Sequence, residues 1–204
     1  VSKFTGIGGI LQLKDWVKRN GKVVGPEFLS VDGFLNHRIE PAFIQEVGNK
    51  LLEEFENKEI TCVLTAEAAG NVVAYELARR LGVSALYAKK GRATTMSVAY
   101  IRKITSATKG KEVEISVSRD YLTRGERVLI VDDFLFRGTT SCALADMVME
   151  SGATLVGFGF VIAKNFGNGR KLLQKYNVPI VSLVSVESMD PKTGDITFGE
   201  EKRS

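Results

Sequence analysis

Val128-Leu-Ile-Val-Asp-Asp-Phe-Leu-Phe-Arg-Gly-Thr-Thr140 is the stretch whose reading decides the fold. Its opening, Val128 to Val131, is an unbroken apolar run of the kind that fills a strand buried on both faces of a parallel sheet. Asp132 and Asp133 sit where that strand should end, and a short polar loop with Gly138, Thr139, Thr140 and Ser141 follows. Residues 142–149 then read as a helix, with Gly152 as its stop. A strand, a polar loop and a helix start make an anion site, because free backbone N–H groups and the positive helix end converge on one phosphate. Carboxylates beside such a site cannot bind phosphate, but they accept hydrogen bonds from paired hydroxyls. A 5-phosphorylated ribose offers both groups.

Outward from this stretch, strand and helix patterns alternate. Residues 60–65 read as a strand, 71–81 as a helix closed by Gly82, and 84–88 as another strand. On the other side come a long apolar strand over 154–163, a helix over 170–176 and a last strand over 179–186. Alternation of this kind predicts an α/β fold, a parallel sheet with helices on both faces, whose ligands bind beyond the C-terminal strand ends. Residues 89–125 interrupt the pattern. Two strand-like segments, 96–103 and 112–118, flank a turn over 105–110 and predict an antiparallel flap, an insertion of the sort that covers active sites.

The N-terminal part reads differently. Ile10, Leu13, Trp16 and Val17 share one face of a helix expected over 7–19, and the stretch from Gly21 to Pro26 breaks it. Residues 28–39 are irregular. Glu40-Pro41 then opens a second helix, with Phe43, Ile44, Val47, Leu51 and Phe55 as its buried stripe. At the other end, residues 190–198 read as a closing hairpin. The expected organisation is a single domain over 1–204: an N-terminal helix and hood (1–40), the flap (89–125) and a C-terminal tail (188–204).

Composition bounds the function. The 204 residues are 44% hydrophobic, as in a soluble globular protein, with no apolar run of membrane-spanning length and no signal-peptide layout. Cys62 and Cys142 fall inside predicted elements without paired spacing, so they read as buried thiols suited to a reducing cytoplasm. One His and no Cys/His cluster argue against a zinc site. A formal net charge of +4 suits an anionic small molecule and falls short of a case for nucleic acid.

Two further segments belong near strand ends. Glu67, Ala68, Ala69 and Gly70 form a small-residue loop between a strand and a helix. It reads either as a second anion loop or as a turn that lets the helix pack tightly. Lys89, Lys90 and Arg92 follow the next strand, as an anion clamp or as a solvated hinge of the flap.

The stretch 128–140 resembles the binding motif for 5-phosphoribosyl 1-diphosphate (PRPP) in the type I phosphoribosyltransferases. The likeness lies in its hydrophobic run, its Asp-Asp pair and its Gly-Thr-Thr end. Arg137 departs from it, where many members carry Thr, and some purine enzymes carry Asp at the place of Phe136. Leu29-Ser-Val-Asp-Gly-Phe-Leu-Asn-His37 with Glu40-Pro41, then Phe134, then Lys164 within Val161-Ile-Ala-Lys-Asn-Phe166, is similar to the xanthine phosphoribosyltransferase subgroup.

That resemblance implies transfer of 5-phosphoribosyl from PRPP to a 6-oxopurine, xanthine foremost, giving XMP and pyrophosphate. Asp132 and Asp133 would be the catalytic pair, as holders of the ribose and not as acid and base. Phe136, Arg137, Gly138, Thr139 and Thr140 would hold the 5′-phosphate. Glu67, Ala68, Ala69 and Gly70 would hold the pyrophosphate, with Lys89 and Lys90 reaching PRPP, in some members across a dimer interface. Leu29, Asn36 and Lys164 would line the purine pocket, with Phe134 placed to stack on the base. Magnesium would arrive with PRPP and not on protein ligands, and the expected assembly is a cytoplasmic homodimer without membrane contact.

Two alternatives stay open. Ser97-Val-Ala-Tyr100 is also similar to purine-responsive bacterial repressors, which implies a regulator that senses PRPP or a purine and controls nucleic acid. The other is an adenine-specific enzyme on the same fold.

Overall fold

The chain is organised on an eight-stranded sheet; the computed structural model describes residues 12–91, 98–105 and 110–200. A first helix, α1 (Leu13–Asn20), leads through a two-stranded hairpin, β1 (Lys22–Val23) and β2 (Leu29–Ser30), and a π-helical turn (Asp32–Asn36) into α2 (Pro41–Phe55). Then come β3 (Cys62–Ala66), α3 (Gly70–Leu81) and β4 (Ser84–Lys90), followed by β5 (Ala99–Thr105) and β6 (Glu112–Ser118). The remainder is β7 (Arg127–Leu135), α4 (Thr139–Ser151), β8 (Thr154–Lys164), α5 (Gly169–Leu173), β9 (Ile180–Met189) and β10 (Ile196–Phe198).

The strand order is β10-β9-β8-β7-β3-β4-β6-β5. The five strands from β9 to β4 are parallel, and antiparallel partners flank them at both edges. Both faces are covered, which is why Val128 to Val131 has no polar member. Leu129 and Val131 join the core under α1, α2 and α3, while Val128 and Ile130 join the core under α4. All four are fully buried, each contributing about 1.5–3 kcal/mol of apolar burial.

The chain reverses its direction of travel across the sheet between β3 and β7. From β3 it steps outward to β4; after the flap it returns to the other side of β3 and continues through β7, β8 and β9. This is a topological switch point, where the loops after the two central strands diverge and leave a crevice. The register makes the crevice visible. β7 pairs with β3 only over Val128–Ile130, but it stays paired with β8 as far as Leu135.

Asp132 and Asp133 therefore lie inside β7, not at its end as the sequence suggested. One edge of the strand is free there while the other is still paired.

Other boundaries moved modestly. The first helix begins at Leu13, and the expected segment over 7–11 lies outside the described residues, as do Arg92, Met96, Ser97 and 106–109 in the flap. The described flap strands pair in antiparallel register from Ala99↔Ser118 to Thr105↔Glu112. The stretch 28–39, expected to be irregular, holds β2 and the π-helical turn. Its spacing fits neither a period of 2 nor one of 3.6, so no periodicity announced it. The tail closes as expected, with β10 antiparallel to β9.

Candidate active site

Two loops meet at the switch point. The first follows β7. Gly138 takes φ +72° and caps α4, whose first-turn amides at Thr139, Thr140 and Ser141 have no carbonyl a turn earlier to bond. The first intrahelical bond runs from the Cys142 amide to the Gly138 carbonyl at 2.9 Å. A thirteen-residue helix thus presents free N–H groups and its positive end to the crevice.

A side chain at Gly138 would be strained by its φ, and its Cβ would fall 3.0 Å from Gly169 Cα. Gly138→Ala should therefore shift this loop, costing about 1–2 kcal/mol for the left-handed backbone. The expected result is ribose 5-phosphate affinity at least tenfold lower in a folded protein, measured by calorimetry. An unchanged affinity would mean the loop does not hold phosphate.

The second loop follows β3 and consists of Glu67, Ala68 and Ala69, leading into Gly70 at the start of α3. Glu67 Oε1 accepts the Lys90 backbone N–H at 2.6 Å, which fastens the loop to the end of β4. Gly70 is required by crowding: a Cβ there would press into the Thr65 hydroxyl and fall 2.8 Å from Asp132 Oδ1. Thr65 Oγ1 and Asn71 Oδ1 are buried here without a hydrogen-bond partner among the described residues.

Asp132 and Asp133 lie between the two loops. The Asp133 amide donates to Asp132 Oδ1 at 2.9 Å, and the Phe134 amide donates to Asp133 Oδ1 at 2.9 Å. Burial pushes the Asp132 carboxyl well above the ordinary carboxylate range, and the charge of Asp133 beside it adds to the rise. Burial also raises Asp133. Lys90 pulls Asp132 the other way and Lys164 does so for Asp133, both more weakly. Two adjacent carboxyls in this setting resist double ionisation.

Two hollows adjoin at this pair. One is lined by Glu27, Phe28, Leu29, Phe134 and Lys164 on one side and by Phe136 to Ser141 on the other. The second is lined by Ala66 to Ala69, Lys90, Thr140 and the flap residues Ile104, Val113 and Ile115. Asp132 and Asp133 border both.

At the far end of the first hollow, Lys164 leaves the end of β8. Its ammonium donates to the Glu27 carbonyl at 2.6 Å and lies over the rings of Phe136 (4.4 Å) and Phe134 (5.1 Å). Burial lowers its pKa, while Glu27 and Asp133 oppose the shift. Leu29, at β2, is buried in the wall.

Not every expected residue arrives. Asn36 ends the π-helical turn with an exposed side chain and is absent from the lining, because that turn directs Phe34 and Leu35 inward. Lys89 faces away from this chain's crevice. Side chains alternate along β4, so Lys90 on the crevice side sends Lys89 to the opposite face, into a hollow with Tyr87 and Tyr121. The Phe136 side chain packs toward the lysine end, 5.5 Å from the Phe166 ring, and its carbonyl accepts the Gly169 amide at 2.7 Å. Glu27 escaped the sequence reading altogether, since it lies in a Gly- and Pro-containing break with no pattern to flag it.

The geometry joins a helix start, a small-residue loop and an aromatic, cationic end around two buried carboxyls. Comparison with known proteins agrees. Residues 36–190 match the phosphoribosyl transferase domain family. A xanthine phosphoribosyltransferase of Heliobacterium modesticaldum is 43% identical over 187 residues, which cover 92% of this chain and 98% of that protein. The xanthine phosphoribosyltransferase of Brevibacillus brevis is 42% identical over 192 residues, covering 94% and 97%.

Among solved structures, adenine phosphoribosyltransferase from Rhodothermus marinus superposes with a TM-score of 0.70 over 85% of this chain and 98% of that one. At 24% identity that likeness is one of fold. The family match and the curated relatives, each spanning most of the chain, place it in the phosphoribosyltransferase family, within the xanthine phosphoribosyltransferase group.

Proposed function

We propose that this chain transfers the 5-phosphoribosyl group of PRPP to a 6-oxopurine, xanthine foremost, releasing pyrophosphate. The observation that carries the reading is the placement of Asp132 and Asp133 between two adjoining hollows. One hollow has a helix start and a lysine flanked by aromatic rings; the other has the small-residue loop and Lys90. PRPP spans such a site with its ribose over the carboxyls, its 5′-phosphate on the amides of α4 and its diphosphate on the loop of residues 67–70. The base then enters beside Phe134, under Lys164.

In the reaction a purine nitrogen bonds to C1 of the ribose as the bond from C1 to the diphosphate oxygen breaks. Positive charge builds on the ribose ring in between, and a carboxylate pair at that place stabilises it. Fixing both ends of PRPP supplies much of the rest through orientation. The flap strands wall the diphosphate side and help to exclude water, which would otherwise take the ribosyl group.

Magnesium enters as an ion carried by the diphosphate. This ion is commonly bound through one or two carboxylates plus substrate phosphates. Asp132 and Asp133 are the side chains here that would meet it. Its chemistry is to neutralise the leaving diphosphate.

The working form we infer is a homodimer in the cytoplasm. Exposed Tyr87 and Tyr121 around Lys89 support a mating surface through which that lysine reaches the neighbouring site. Two buried free thiols support a reducing compartment; burial pushes Cys62 up to about 12. Among the described residues no helix is long and apolar enough to cross a membrane. Sedimentation at the mass of one chain would refute the dimer. The catalytic reading is tested by pyrophosphate release that requires PRPP, magnesium and xanthine together; release with PRPP alone, or none at all, contradicts it.

A further inference from the structure

Glu27 is tied to both cations of the first hollow. Its backbone carbonyl accepts the hydrogen bond from Lys164 Nζ at 2.6 Å, and its carboxylate pairs with Arg137 Nη2 at 3.0 Å. The two ties come from different elements: Lys164 ends β8, and Arg137 immediately precedes the Gly138 cap of α4. Both cations also lie against the Phe136 ring, at 4.4 Å and 5.5 Å. Glu27 thereby ties the hairpin of β1 and β2 to the end of β8 and to the loop before α4.

We propose that Glu27 is a positioning residue for the 5′-phosphate: its carboxylate holds Arg137 as an internal competitor and yields the guanidinium when the phosphate binds. The inference rests on the phosphoribosyltransferase reading above and extends it to a residue outside the motif. Arg137 shares the anion field of the α4 amides, two positions before the first of them. A guanidinium fork is satisfied bidentately by a phosphate, whereas the Glu27 carboxylate reaches it through one nitrogen.

The pair is half exposed, with side-chain accessibilities of 51% for Arg137 and 43% for Glu27. Water screens it, so the competition amounts to about twofold to fivefold in affinity. The hydrogen bond from Lys164 runs to the backbone and survives loss of the Glu27 carboxylate, which acts on Lys164 only through its charge.

The test is ribose 5-phosphate binding by calorimetry to the full chain, comparing wild type, Glu27→Gln, Arg137→Ala and the double variant. Glu27→Gln should bind about twofold to fivefold more tightly, and the gain should shrink at about 1 M salt, where the Debye length is about 3 Å. Arg137→Ala should bind more weakly, and adding Glu27→Gln to it should give no gain.

Equal or weaker binding by Glu27→Gln, or a gain that persists without Arg137, overturns the proposal. Wild type that binds ribose 5-phosphate while Glu27→Gln behaves identically overturns this inference alone. Wild type that does not bind it overturns the phosphate-site reading as well.

Discussion

Changing Asp132 and Asp133 together to Asn should lower kcat/KM by on the order of 10²-fold or more while making the protein more stable above neutral pH. The loss follows from removing the negative charge that the pair supplies beside the ribose carbon where positive charge develops. The gain follows from the same burial. Both carboxyls have their pKa raised in the folded protein. A carboxyl of that kind contributes stability below its unfolded pKa, about 3.9, and loses it as pH climbs through the folded value.

At pH 8 the wild-type pair lies in the lost regime, so Asn, which cannot ionise, relieves it. Near pH 4 the difference should vanish. Each 1 kcal/mol of relief should appear as roughly 2–4 °C in Tm for a chain of this size. Thermal melts at pH 4 and pH 8 and steady-state kinetics on the same samples check both halves. A double variant with near-normal turnover, or one less stable than wild type at pH 8, would make the pair an ordinary part of the strand.

Lys164→Met should collapse the discrimination between oxopurines and adenine. Lys164 Nζ lies at the aromatic end of the first hollow, held by the Glu27 carbonyl and the rings of Phe134 and Phe136. An ammonium has donors only, so it satisfies a 6-oxo group and faces the 6-amino group of adenine donor to donor. A hydrogen bond to a charged group is worth about 1.5–3 kcal/mol, so the xanthine-to-adenine ratio of kcat/KM should fall at least about tenfold. Methionine preserves the length and most of the packing of the stem, which keeps the comparison on the charge. An unchanged ratio would mean that Lys164 steadies the hairpin and does not read the base.

How far the sequence could be read follows from the range of each signal. The run Val128 to Val131 announces a doubly covered strand because burial on both faces leaves no room for a polar residue, and that is a local property. Gly138 and the small loop ending at Gly70 are legible for the same reason: each marks a place where the backbone must turn or approach closely, and no distant partner is needed to see it. The alternation of strand and helix then fixes a parallel sheet, and a parallel sheet fixes where its crevice opens.

The remainder depends on pairings that no short pattern records. Glu27 meets Arg137 and Lys164 across 110 and 137 positions of chain, and nothing around it in the sequence hints at either. Asn36 turns outward because Phe34 and Leu35 turn in, a choice made by the core beneath α2. The extent of β7 past Asp133 is set by β8, which continues to pair after β3 has stopped. That Lys89 faces away from this chain's own crevice was foreseeable. In a strand, two consecutive residues cannot face the same hollow, so Lys90 at the site already sends its neighbour elsewhere.

The central claim is that this pocket joins PRPP to a 6-oxopurine, and base preference tests it most directly. Steady-state kcat/KM with PRPP and magnesium should be measured for xanthine, guanine, hypoxanthine and adenine under one set of conditions. Xanthine adds a second oxo group and ionises most easily, which suits a cationic pocket, so the expected order is xanthine first, guanine and hypoxanthine behind, adenine last. Adenine as the preferred base, or no transfer to any of the four, would contradict the account.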